Sequence, residues 1–65
     1  MTTTTATRIA AAEAELLMLA DREQSHLEAA ERLAAAGYTG QAADYRRWAR
    51  ETADEMAALR IRGIA

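Results

Sequence analysis

Leu33-Ala34-Ala35-Ala36-Gly37-Tyr38-Thr39-Gly40-Gln41 is the stretch on which the fold of this chain turns. Three alanines behind a leucine are strong helix formers. Gly37 follows them at the place where the first residue past a helix takes the left-handed conformation that glycine alone adopts cheaply. Tyr38-Thr39-Gly40 then reads as a tight turn. Beyond it, Gln41 to Arg62 runs without a breaker until Gly63, and Arg60 and Arg62 fall in the last turn, where cations complement the helix dipole. Two helices joined by so short a loop make an antiparallel αα-hairpin.

Working outward, the composition agrees. The chain has 65 residues, 18 of them Ala, with no proline and no cysteine, and its eight basic residues are all Arg. Ala, Glu, Arg, Leu and Met all sit at the favourable end of the helix scale. Ten acids against eight arginines give a formal charge of −2, which fits neither a charged disordered tail nor a basic nucleic-acid arm. Without cysteine there is no disulfide framework, thiolate metal site or thiol nucleophile. The longest apolar run, Leu16 to Ala20, is too short to span a bilayer. Met1 to Arg8 lacks the apolar segment and cleavage site of a secretory signal, so the expected location is cytoplasmic. Thr2 to Thr5 and Thr7 suggest a frayed N-terminal tail over residues 1–6, followed by a single helical-hairpin domain over 7–65.

The first helix carries one ambiguity. Asp21-Arg22-Glu23-Gln24-Ser25-His26 is a polar run inside an otherwise apolar stripe. Ser25-His26-Leu27-Glu28 matches a capping box, which would break the chain near 21–25 into three short helices of roughly 7–20, 26–36 and 41–62. No glycine or proline supports a break, and short helices are marginal alone. The preferred reading is therefore all-α, with two helices of about 7–36 and 41–62. Ile9, Ala12, Leu16, Leu19, Ala20, Leu27, Ala30, Leu33 and Ala34 share one face of the first helix. Ala42, Tyr45, Trp48, Ala49, Thr52, Met56 and Leu59 share one face of the second. Leu17 and Met18 point away from that seam, so the apolar arc is wider than one partner helix covers. The expectation is a homo-oligomer, most simply a dimeric four-helix bundle.

Glu23-x-x-His26 sets a carboxylate and an imidazole on one face, the spacing used by carboxylate-bridged metal bundles. A hairpin folded about Tyr38 and Thr39 would bring Glu23 opposite Asp54 and His26 opposite Glu51, with Glu55 one turn along, a set suited to divalent ions. The plainer reading is a polar layer that fixes register, and no cofactor is expected. Arg46, Arg47 and Arg50 beside Tyr45 and Trp48 have the make-up of a phosphate- and base-binding surface. Asp44, Glu51 and Asp54 lie within a turn, however, and the i, i+4 pairs Arg47–Glu51 and Arg50–Asp54 would neutralise most of the charge, which argues against nucleic acid. Residues 40–65 carry five arginines and four acids, net +1, and residues 1–39 three arginines and six acids, net −3, a complementarity that suits helix packing. No enzyme constellation emerges. Ser25 and His26 are adjacent, so their side chains diverge by about 100° on a helix and do not pair as nucleophile and base.

Gly37, Ala42, Tyr45 and Ala49 resemble the glycine, alanine, aromatic and alanine positions of a tetratricopeptide repeat, present in a single copy. In length and layout the chain is similar to the Rop family of plasmid copy-number regulators, a likeness of architecture that implies a dimeric four-helix bundle binding paired RNA loops. The expected function is that of a small non-catalytic interaction or assembly protein, such as a phage-type or regulatory inhibitor of a larger protein. Its contact surface would be Arg46, Arg47, Trp48 and Arg50 with the Leu17–Met18 edge. A Rop-like RNA-binding dimer and a carboxylate/His metal bundle are the alternatives.

Overall fold

The computed structural model describes residues 2–64, with side chains described for 5–62. It consists of α1, Thr2–Ala35, and α2, Thr39–Ile64, packed along their lengths as an antiparallel hairpin. α1 has 34 residues and α2 has 26. At 1.5 Å of rise per residue, α1 accounts by itself for almost all of the 54 Å long axis. The other two extents, 14 and 9 Å, are those of two helices lying side by side in one layer.

Local signals at the loop explain why the chain reverses at Gly37. The Gly37 amide donates to the Ala34 carbonyl at 3.1 Å and the Tyr38 amide to the Leu33 carbonyl at 2.8 Å. Together these are the two bonds of a Schellman cap, with Gly37 at φ +91°. The Tyr38 carbonyl then accepts from the Ala42 amide at 3.0 Å, so helical bonding resumes at once and α2 begins at Thr39, two residues before the expected start. Gly40 costs little there, because amides in a first turn have no intrahelical acceptor anyway. The reversal is thus centred on Gly37, not between Tyr38 and Thr39. At the other end α1 reaches back to Thr2, taking in Thr2–Ala6, which the sequence suggested as a frayed tail.

α1 runs unbroken through Asp21–His26, so the three-helix alternative does not hold. The candidate capping box is not used as one. The Glu28 carboxylate accepts from Gln24 Nε2 at 3.1 Å, an exposed i, i+4 bridge along the helix.

The seam follows a strict alternation of three- and four-residue steps: Ala12, Leu16, Leu19, Glu23, His26, Ala30 and Leu33 on α1, and Ala42, Tyr45, Ala49, Thr52, Met56 and Leu59 on α2, all buried or half-buried. Ala30, Ala42 and Ala49 are almost completely buried and let the backbones approach closely near the loop. Leu19 and Met56 anchor the wider half, each at 6% exposure. This phase corrects the expected stripe. Continuing the steps from Leu19 to Ala30 puts Glu23 and His26 in the seam and turns Ala20 and Leu27 onto a flank, where both are exposed, as is Ile9.

Candidate functional site

The seam carries one polar and aromatic layer. His26 stands edge-on to Tyr45, with ring centroids 5.8 Å apart, and tilted against Trp48 at 6.1 Å, while Tyr45 and Trp48 meet edge to face at 4.9 Å. His26 Nδ1 is buried and has no hydrogen-bond partner. The buried Thr52 hydroxyl donates to the Trp48 carbonyl one turn back at 2.9 Å, so that polar group is satisfied within its own helix.

This layer replaces the expected ligand set. His26 faces Tyr45 and Trp48, about a turn closer to the loop than Glu51, which follows from the reversal being centred on Gly37. Glu23 is half-buried in the seam, whereas Glu51, Asp54 and Glu55 are exposed on α2. Among the described residues, no three His, Asp or Glu side chains gather in a metal-holding group.

On the outer face of α2, Arg46, Arg47 and Arg50 are exposed. Arg47 pairs with Asp44 at 3.3 Å, an i, i+3 contact in place of the expected Arg47–Glu51 pair. Both partners are well exposed, so the pair adds little to stability. Trp48 has a double character: its ring rests on Tyr45 and His26, yet 39% of the residue stays in solvent. Leu17 and Met18 are 74% and 71% exposed, pointing away from the seam as expected.

The two sides of the hairpin differ. On one, an open cleft of about 360 Å³ is lined by Arg8, Ala11, Ala12, Glu15, Leu59 and Arg62. Helical phase puts Arg22, Ala29 and Trp48 on that same side. On the other, α1 presents Ile9, Glu13, Ala20 and Leu27, with the seam residues Leu16 and Glu23 at their edge, and α2 presents Arg46, Arg50, Ala53, Ala57 and Arg60. Ile9, Ala20 and Leu27 are the exposed members of this flank that the sequence reading had assigned to the core, Ile9 and Leu27 at 44% and 41%. The displacement of Ala20 and Leu27 is legible only once the 3.5-residue step is extended through the polar run, whereas Ile9 keeps the seam phase and is exposed all the same. Ile61, also exposed, carries no comparable signal in the sequence.

Comparison with protein-family models, with curated proteins and with solved structures finds no match for this chain.

Proposed function

We propose that this protein is a small, non-catalytic assembly element that works by helix-to-helix association, beginning with a second copy of itself in a four-helix bundle. The observation that carries this reading is its surface. A compact monomer of 7.1 kDa exposes roughly 4,100 Å² by the surface-to-mass scaling, whereas the hairpin exposes 5004 Å². The difference is close to the ~800 Å² that one partner buries in a standard interface. The seam supports the same reading, since among the described residues no large side chain is completely buried. A single layer of two helices has one seam, and a second layer supplies the missing contact.

Sedimentation equilibrium across micromolar concentrations tests this. The expected mass is about 14 kDa, twice that of the chain. A folded particle that stays at 7.1 kDa at every concentration overturns the proposal.

A further inference from the structure

The two sides of the hairpin are not equally suited to a second copy, and their charge says how the copy sits. We propose that two hairpins stack through the side opposite the cleft, with α1 of one protomer lying on α2 of its partner and both loops at the same end of the bundle. This rests on the self-association proposed above and specifies its geometry.

The α1 row on that side, exposed Ile9, Glu13, Ala20 and Leu27 with half-buried Leu16 and Glu23 at the edge of the seam, combines large apolar groups with two acids and contains no arginine. The α2 row, Arg46, Arg50, Ala53, Ala57 and Arg60, combines small groups with three arginines and contains no acid. A two-fold dimer that stacks these sides offers two choices. If α1 lies on its own copy, α2 does too, so acid meets acid, arginine meets arginine, and the alanines of α2 face each other across an unfilled gap. If α1 lies on the partner's α2, the rows oppose with complementary charge and size.

Register supports the second choice. A two-fold axis parallel to the helices leaves heights along the bundle unchanged, so the levels set within one hairpin also apply between the two. The contacts of His26 with Tyr45 and Trp48, and the sharing of one cleft by the seam residues Ala12 and Leu59, fix those levels. Glu13 then lies at the level of Arg60, Leu16 at Ala57, Ala20 at Ala53, Glu23 at Arg50, and Leu27 beside the aliphatic stem of Arg46. Both acids, Glu13 and Glu23, meet an arginine, and Leu16 and Leu27 each meet a small or amphipathic group. The flat side measures 54 by 14 Å between Cα atoms, enough for an interface of standard size.

The orientation is read out by a single cysteine, which the wild-type chain lacks. Ala36→Cys, at the exposed loop, is spin-labelled and the inter-label distance measured in the dimer. Same-end stacking predicts a distance under about 30 Å, since neighbouring helix axes lie 8–10 Å apart. A distance near the 54 Å length of the molecule places the loops at opposite ends and overturns this arrangement while leaving self-association intact. A folded monomer by sedimentation overturns both. In addition, Glu13→Arg or Arg60→Glu alone should raise the dimer dissociation constant about tenfold, since each contact occurs twice. The double variant should restore it, and failure of that rescue also counts against the stacking.

Discussion

At the residue scale, two positions carry consequences out of proportion to their size. Gly37 holds φ +91°, and a β-carbon added there would meet nothing within 4 Å. Any cost of Gly37→Ala is therefore conformational, not steric crowding by neighbours. The expected loss is about 1–2 kcal/mol, seen in chemical denaturation, with Gly37→Asn losing less because asparagine visits the left-handed region more readily. Equal stability of wild type and Gly37→Ala would show that the cap is not formed. His26 makes the opposite case. Its buried Nδ1 lacks a partner, and an unmet buried polar atom costs about 1–3 kcal/mol. Replacement by leucine, which suits a seam position, removes that cost but also loses the edge contacts with Tyr45 and Trp48. The net expectation is a gain of about 1 kcal/mol, measured as a raised denaturation midpoint; a loss would mean that the ring contacts outweigh the orphaned nitrogen.

At the element scale, each helix depends on which of its leucines and methionines reach the seam. Leu19 and Met56 do, and Leu17 and Met18 do not. Leu19→Ala or Met56→Ala should cost about 2–3 kcal/mol, a large share of the stability of so thin a core. Leu17→Ala should shift folding by no more than about 0.5 kcal/mol, and parallel urea titrations of the variants compare the two classes directly. This contrast also marks how far the sequence could be read. Gly37 and the alanines before it announce a cap, and the unbroken 41–62 segment announces a helix, so the hairpin was legible from local chemistry. The facing of Glu23 and His26 was not, because apolar residues define a seam only where they occur. Across Asp21–His26 the stripe has none, and the phase must be carried through from both ends. A turn centred one or two residues away shifts every cross-helix pair, which is why His26 meets Tyr45 and Trp48 and the acids of α2 stay outside.

At the scale of the whole molecule, the central quantity is the surface left uncovered by a two-helix layer. If folding and pairing are one event, unfolding separates the chains, and the midpoint must depend on protein concentration. With about 0.7 kcal/mol of unfolding enthalpy per residue over two chains, hundredfold dilution should lower Tm by about 10 °C. The flank substitution Leu27→Glu places a charge where the stacking argument puts a buried leucine, so it should bring the Tm at high concentration down towards that of the dilute wild type. Met18→Glu, at a more exposed position whose helical phase points to the cleft side, should leave the concentration dependence unchanged. Salt supplies a further discriminator. Ion pairs between the acidic row of α1 and the arginine row of α2 are exposed at the rim and screened over about 10 Å at 0.1 M, so self-association should weaken only a few-fold between 50 and 200 mM salt. A steep decline in binding to an RNA hairpin over the same range, by contrast, would mark phosphate neutralisation by Arg46, Arg47 and Arg50. Thermal melts of wild type, Leu27→Glu and Met18→Glu at two concentrations decide the matter. Identical concentration dependence in the two variants would mean that the copy does not dock on the Leu27 flank.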